Sequence, residues 1–189
     1  MFTTFLQQGF THILDPGGID HILFLLAICA IYSIRDWKQI IWIVTSFTFA
    51  HSLTLLFSVM GWVIIAAPVI EFLIACTIVF TCIENLWLPQ LHAYRVTFSA
   101  FFGLIHGLGF SNQLKSLFMG MDFNVLETLL PFNLGLELGQ MVIISSCLVL
   151  IFLLNKIKYL NPRAINYLVS VPVLIQAIVW IFERNIFRS

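Results

Sequence analysis

The sequence predicts an all-α fold, a polytopic membrane helix bundle, and two observations carry that prediction. First, 60% of the 189 residues are hydrophobic and only 10% are charged, whereas soluble domains have about 25% charged residues. The mean hydropathy is accordingly high, at +1.01. Second, the apolar stretches are continuous rather than alternating, which favours spanning helices over a β-barrel. No linker or low-complexity segment divides the chain, so residues 1–189 are expected to form a single integral membrane domain.

The apolar stretches predict about six transmembrane helices, because about 20 helical residues are needed to cross a membrane. Prolines, glycines and charged residues beside each stretch set its limits. Residues 2–13 are too few and too polar to span, and the spacing of their apolar side chains predicts a short interfacial or re-entrant helix. Residues 114–128 are expected to be the longest loop. The predicted spans cover residues 20–34, 39–60, 68–88, 94–113, 129–155 and 164–182.

The stretch that opens the first span combines groups that are costly in a membrane. Two histidines and two aspartates fall between His12 and His21, and a Pro-Gly-Gly turn separates them. Asp20 and His21 stand at the start of a strongly apolar helix. A charged side chain at the bilayer centre costs roughly 3 kcal/mol on insertion scales, and such residues commonly mark a functional site. We therefore expect further polar side chains at the same depth in the membrane.

Four further ionisable residues are predicted to reach that depth. His51 and His106 lie about 12 residues from one end of their helices, or about 18 Å at a rise of about 1.5 Å per residue. Glu71 and Glu137 lie within the first two turns of helices that cross in the opposite direction. Each of these helices also places polar residues on one face. The candidate metal ligands are His12, Asp20, His21, His51, Glu71, His106 and Glu137.

This ligand set indicates a divalent transition-metal ion. Imidazole and carboxylate groups suit Ni²⁺, Co²⁺ or Zn²⁺, and a dication would offset the charge of buried carboxylates. The four cysteines all lie within apolar stretches and are expected to be packing residues, so a thiolate site for Cu(I) is not predicted. Two alternatives stay open. The histidines could instead form a polar network with carboxylates or backbone, and His12 could be an interfacial residue rather than a ligand.

Charge indicates the partners and the orientation. A formal net charge of +0 argues against binding to nucleic acid, so the partners that the sequence allows are a metal ion, membrane lipids and further copies in a homo-oligomer.

Six of the nine Lys and Arg residues fall in the first, third and fifth loops. The positive-inside rule then places both termini outside the cytoplasm and the candidate ligands in the outer half of the membrane. We expect an integral protein of the bacterial inner (plasma) membrane.

Five collinear blocks contain the candidate ligands: HILDPGGIDHILF (12–24), FTFAHSLTL (47–55), VIEFLIA (69–75), FGLIHGLGF (102–110) and FNLGLELGQ (132–140). At these blocks the sequence resembles the HupE/UreJ family of membrane proteins, in particular its second branch. The resemblance implies nickel or cobalt permeases, or accessories of hydrogenase and urease systems, and hence divalent-metal uptake. Asp20 and His21 match the family's Asp-His pair on the first helix. His12 matches its upstream histidine, across a longer gap here.

Two functions compete as explanations of these residues. In a permease, Asp20, His21 and His12 would capture the ion at the outer mouth, and the other candidate ligands would pass it inward. The alternative is a metal-dependent intramembrane hydrolase or transferase that acts on a lipid or lipoprotein. There a metal-bound water would be the nucleophile, with Glu71 or Glu137 as general base.

The polar side chains become sparse toward the predicted cytoplasmic side, where only Glu84, Asn85 and Ser99 offer oxygen ligands. A permease needs an exit, so this sparseness supports the enzyme alternative. Glu84 is expected to pair with Arg95 near that end of the bundle. A metal-sensing or scaffold subunit is a third interpretation.

Overall fold

The described part of the protein is entirely helical. The structure is a computed structural model that describes residues 2–88, 94–110 and 125–184, and these contain seven α-helices and no strand. The α-helices are α1 (Phe2–Leu14), α2 (Ile19–Cys29), α3 (Trp37–Val59), α4 (Ala67–Trp87), α5 (Tyr94–Gly109), α6 (Leu130–Leu154) and α7 (Pro162–Glu183). Short 3₁₀ turns, Pro16–Gly18 and Ile34–Asp36, precede α2 and α3, and a π-helical turn, Val125–Leu129, precedes α6.

Four of the predicted spans are confirmed as helices long and apolar enough to cross a membrane, namely α3, α4, α6 and α7 with the turns that extend them. α1 and α2 meet the same criteria only together, as one broken span or a re-entrant loop. α5 has 16 residues, fewer than the about 20 needed. The predicted count of six spans is therefore not confirmed. Residues 111–113 of the predicted fourth span and 114–124 of the predicted loop lie outside the described residues.

A sharp bend joins α1 to α2, whose axes differ by 69°. Asp15 ends α1 and caps the 3₁₀ turn, because its Oδ1 atom accepts a hydrogen bond from the Gly17 amide at 3.0 Å. The Gly18 amide donates to the Asp15 carbonyl at 2.9 Å. This turn redirects the chain so that the last turn of α1 and the first turn of α2 lie side by side. α2 then ends at Cys29, earlier than the predicted limit at residue 34.

α1 packs into the bundle against α6 through glycines. A Cβ atom built at Gly135 would overlap the carbonyl oxygen of Leu6, and one at Gly9 would overlap the carbonyl oxygen of Phe132. Small residues at helix contacts allow such close backbone approach in membranes. The buried face of α1 consists of Phe5, Gly9 and Ile13. The N-terminal helix is thus packed onto the bundle through one face.

A second glycine contact joins α3 to α5. A Cβ atom at Gly103 would overlap the carbonyl oxygen of Phe47, and one at Gly107 would overlap the carbonyl oxygen of His51. These two glycines therefore allow the backbones of α3 and α5 to approach closely. The contact places His51 of α3 beside the turn of α5 that carries His106.

The bundle is apolar outside and partly polar inside, as expected in lipid. Large apolar side chains such as Phe49 and Leu150 are exposed, whereas Asn85, Gln140 and Ser170 are fully buried. Lipid tails cannot satisfy polar groups, so these groups turn toward one another in the interior. The exposed apolar surface and the four long apolar helices identify a membrane protein.

Replacing Gly135 with valine is expected to detach α1 from α6. The added side chain would overlap the Leu6 carbonyl, and overpacking of this kind costs about 1–3 kcal/mol of unfolding free energy. Thermal denaturation in detergent should show a lower Tm. Leu134→Val on the lipid-exposed side of the same helix is the control and should leave Tm nearly unchanged. Equal Tm values for both variants would contradict the α1–α6 contact described here.

Candidate metal site

Three histidines from three helices meet at one end of the bundle. One ring nitrogen from each of His12, His21 and His51 lies within 4.8 Å of those of the other two. His12 is in the last turn of α1, His21 in the first turn of α2 and His51 in the middle of α3. The bend between α1 and α2 is what brings the first two together, with ring centroids 5.2 Å apart.

Asp20 fixes the tautomer of His21. Its Oδ1 atom lies 2.9 Å from His21 Nδ1 and also accepts the His21 backbone amide at 2.8 Å. A carboxylate only accepts, so Nδ1 carries the ring proton and donates it. The lone pair is then on Nε2, which is buried and has no hydrogen-bond partner in the described chain. A carboxylate behind an imidazole is the usual outer-shell support of a metal-binding histidine.

Thr77 fixes the tautomer of His106 in a similar way. The Thr77 hydroxyl donates its single proton to the Ile74 carbonyl at 2.7 Å. Its oxygen lies 3.1 Å from His106 Nε2, so Nε2 must carry the proton and donate to it. The lone pair of His106 is therefore on Nδ1, which is buried and unpartnered among the described residues. The His106 ring centroid lies 5.1 Å from that of His21, which makes His106 a candidate fourth nitrogen ligand.

His51 is the least satisfied of the four histidines. Its side chain is 0% exposed, and neither ring nitrogen has a hydrogen-bond partner in the part of the chain that the structure describes. An unsatisfied buried polar group costs about 1–3 kcal/mol. A purely structural polar network, the alternative considered from the sequence, would supply partners at this position. One of the two nitrogens of a neutral imidazole carries a lone pair, and a Lewis-acidic cation would satisfy that nitrogen.

A cavity of about 190 Å³ leads to these nitrogens from one end of the bundle. We call this the cavity end and the opposite end the far end. Its walls include His12, Asp20, His21, Glu71 and His106, together with the glycines of the α1–α2 turn. Five of the seven candidate ligands thus line one space, and His51 contacts it through the histidine cluster.

Glu71 lies at the mouth of the cavity rather than inside the cluster. Its side chain is 55% exposed, and its Oε2 atom lies 3.9 Å from Arg184 Nε. Arg184 Nη1 also donates to the Glu71 carbonyl oxygen at 3.3 Å. Arg184 lines the same cavity. The mouth therefore carries one anionic and one cationic side chain in a loose, partly solvated pair.

Glu137 lies at the contact between α3 and α6. Its Oε1 atom accepts a hydrogen bond from Thr45 at 2.8 Å, and one turn further on Gln140 accepts from Thr48 at 2.7 Å. Glu137 is not among the residues that line the cavity. The structure thus brings His12, His21 and His51 within 4.8 Å of one another. Asp20, Glu71 and His106 lie around the same cavity, and Glu137 is in a separate hydrogen-bonded position.

Phenylalanines form the floor beneath the histidines. Phe24 and Phe47 are 1% and 2% exposed, and their ring centroids lie 5.1 Å and 5.2 Å from that of His106. The two rings are themselves 5.2 Å apart. The histidine cluster is therefore open toward the cavity end and covered by aromatic rings toward the far end.

Thr77 and Arg184 were not singled out from the sequence. Thr77 could have been found, because it lies on one face of α4 with Thr81 and Glu84 at helical spacing. No local signal marks Arg184, since its position beside Glu71 depends on how α7 packs against α4.

Removal of the His51 imidazole is expected to stabilise the metal-free protein. His51→Leu deletes two unpartnered buried nitrogens, so Tm in chelator-treated detergent should rise or stay equal. Thr77→Val is the matched comparison at the same cluster, because it leaves the His106 Nε2–H without an acceptor and should lower Tm. A large loss of stability in His51→Leu alone would show that His51 has a structural partner.

Comparison with known proteins identifies a family. The family described as HupE / UreJ protein matches residues 1–184, almost the whole chain. No curated protein and no solved structure gave a significant match.

Proposed function

The chain belongs to the HupE/UreJ family, and from that premise we propose that it is a membrane permease for a divalent transition-metal ion of the Ni²⁺, Co²⁺ or Zn²⁺ type. The observation that carries the proposal is the histidine cluster. Three imidazole nitrogens within 4.8 Å of one another lie at the base of an open cavity without competing hydrogen bonds. The orientation predicted from the loop charges places this site in the outer half of the bacterial inner membrane.

The ligand chemistry supports a borderline dication. Neutral imidazoles suit nickel, cobalt and zinc better than the hard ions calcium and magnesium. No cysteine belongs to the cluster among the described residues, which does not favour Cu(I). Asp20 supplies one negative charge behind His21, so a bound dication is only partly neutralised. Such a site holds the ion less tightly than an anionic structural site and suits a substrate that must leave again.

Capture would begin at the cavity mouth. Glu71 attracts a dication electrostatically, whereas Arg184 beside it repels one. Since Glu71 is more than half exposed, solvent and salt screen both effects. The ion would then pass to the imidazoles of His12 and His21, which stand on the two sides of the α1–α2 bend.

A metal-dependent hydrolase or transferase is the second candidate, and one observation supports it. The phenylalanine floor of Phe24 and Phe47 closes the site toward the far end, as expected for a reaction chamber rather than a pore. In that function Glu71 would be the glutamate on the cavity wall that acts as general base. Glu137 hydrogen-bonds Thr45 outside the cavity, so it contributes less to this alternative than the sequence predicted.

Metal binding and transport should be measured on the same preparation. Calorimetry of the detergent-solubilised chain should detect one Ni²⁺ per chain, and proteoliposomes should take up Ni²⁺, Co²⁺ or Zn²⁺. His21→Ala and His106→Ala should abolish both signals. Stoichiometric binding without uptake would contradict the permease and favour the enzyme. An absence of binding for all three ions would contradict both functions.

Asp20→Asn is expected to weaken Ni²⁺ binding by about 10- to 100-fold, as loss of an outer-shell partner commonly does. The amide can still contact His21 but no longer supplies negative charge. Isothermal calorimetry at fixed pH measures the change. Asp15→Asn, which alters the nearby aspartate that caps the α1–α2 turn, is the control and should change affinity by less than about threefold. Equal losses in both variants would assign the effect to the turn rather than to His21.

The charges at the cavity mouth should act in opposite directions. Arg184→Gln removes the repelling cation and should raise the Ni²⁺ association rate, whereas Glu71→Gln should lower it, each by roughly two- to tenfold at low salt. Both effects should shrink at high ionic strength. Arg163→Gln, the same substitution at the other end of α7, should have no effect. Rates that do not depend on salt would contradict an electrostatic role for the mouth.

A further inference from the structure

A second charged site lies on the far side of the phenylalanine floor. Glu84 of α4 and Arg95 of α5 form an ion pair with Oε1 and Nε 3.2 Å apart, as the sequence predicted. Their side chains are only 8% and 5% exposed. Arg95 Nη2 also donates to Asn85 Oδ1 at 2.9 Å, and its guanidinium lies over the Tyr32 ring at 6.0 Å.

The fold does not require this buried ion pair. Taking two opposite charges out of water costs free energy that their attraction repays only in part, so a buried ion pair is weak support for a fold. Arg95 would also remain hydrogen-bonded without Glu84, because Asn85 is held in place from two further helices. Asn85 Nδ2 donates to the Ala27 carbonyl at 2.6 Å, and the Asn85 carbonyl accepts from Asn166 at 2.7 Å.

Polar side chains connect the histidine cluster to this pair along two facing helices. On α4, Thr77, Thr81 and Glu84 follow one another at spacings that share a helix face. On α5, Ser99 lies between Arg95 and His106. The helices are joined at both ends of this series, by the Thr77–His106 hydrogen bond and by the Glu84–Arg95 pair.

A small cavity lies between the phenylalanine floor and the pair. It measures about 20 Å³, and Phe24, Thr81, Glu84, Arg95 and Ser99 contribute to its wall. That is room for about one water molecule or a dehydrated ion. The hydroxyls of Thr81 and Ser99 donate to the carbonyls of Thr77 and Ile43, so their oxygen lone pairs stay free to contact a cation.

We propose that Glu84 is a second, transient binding site for the transported dication, and that Arg95 closes this site at rest. The ion first passes the Phe24 ring. It then displaces the Arg95 guanidinium from the Glu84 carboxylate and binds there. Arg95 keeps its contacts with Asn85 and Tyr32. Its positive charge then repels the bound dication, which makes occupancy short and favours release at the far end. Conduction requires such sites, where binding is strong enough to accept the ion but weak enough to let it leave.

This inference rests on the proposed permease function, so the experiment separates the two. The purified chain is compared with the double variant Glu84→Gln/Arg95→Gln, which removes both charges and leaves neither partner unpaired. Glu84→Asp is the conservative variant, and Asp36→Asn, in the turn before α3, is the matched removal of a carboxylate outside the series. Three quantities are measured for each: Tm in detergent, Ni²⁺ affinity by calorimetry, and initial Ni²⁺ uptake into proteoliposomes.

The double variant should have nearly the Tm of the unmodified chain and a Ni²⁺ affinity within about twofold of it, and should lose at least about tenfold in uptake. Glu84→Asp should retain much of the uptake, and Asp36→Asn all of it. Wild-type uptake in a folded double variant would overturn the Glu84 site. Loss of Ni²⁺ affinity together with uptake would also overturn it, because the pair would then act only by supporting the histidine cluster.

Thr81→Val tests the same route if the double variant does not fold. It is nearly isosteric, keeps the ion pair and removes one oxygen between the two sites. Uptake should fall at least about threefold with unchanged Ni²⁺ affinity, and unchanged uptake would overturn the proposal. An unmodified chain that neither binds nor transports any of Ni²⁺, Co²⁺ and Zn²⁺ contradicts the proposed function itself, a result distinct from each of these.

Discussion

The burial of imidazole nitrogens without hydrogen-bond partners is the constraint on which the rest of the structure depends. Each such group costs about 1–3 kcal/mol, and four helices, α1, α2, α3 and α5, contribute one histidine each to the same region. Other buried polar side chains do make hydrogen bonds, as Thr48 does to Gln140, and single unpartnered atoms also occur in the described chain on Gln8, Tyr32 and Asn133. The glycine contacts that join α1 to α6 and α3 to α5 hold these nitrogens together. What sets the histidine region apart is that its unpartnered nitrogens lie close together, and such a concentration of unsatisfied groups is typical of a functional site.

The helices and the depth of the site could be predicted because both depend on local signals. Apolar length and flanking prolines located α3, α4, α6 and α7 to within a few residues, since the bilayer fixes the length that a span needs. Counting residues placed His51 and His106 near His21, because the rise per helical residue is constant. α2 was predicted too long because the apolar sequence continues past Cys29, where the helix ends.

Lateral arrangement could not be predicted, because it depends on which helices are neighbours and how each is rotated. Depth alone placed Glu137 with the histidines, yet the rotation of α6 directs it to Thr45 on α3. The position of His12 was undecided because it depends on the 69° bend, a tertiary feature that the Pro-Gly-Gly turn permits but does not specify. The Glu84–Arg95 pair was predictable, because both residues lie near the same end of consecutive helices.

The bend between α1 and α2 also means that helix packing sets the distance between two of the candidate ligands, His12 and His21. His12 and His21 are close along the chain, yet they belong to separate rigid helices, α1 and α2, that are joined by a short turn. The distance between these two histidines therefore changes with the angle between α1 and α2, and the contact of α1 with α6 fixes that angle. The angle between the two helices therefore preorganises the ligands. A small rotation of α1 would weaken ion binding without moving α2 or α3. Affinity at the cluster is thus linked to the glycine-lined contact of α1 with α6, which includes Gly9, three residues before His12.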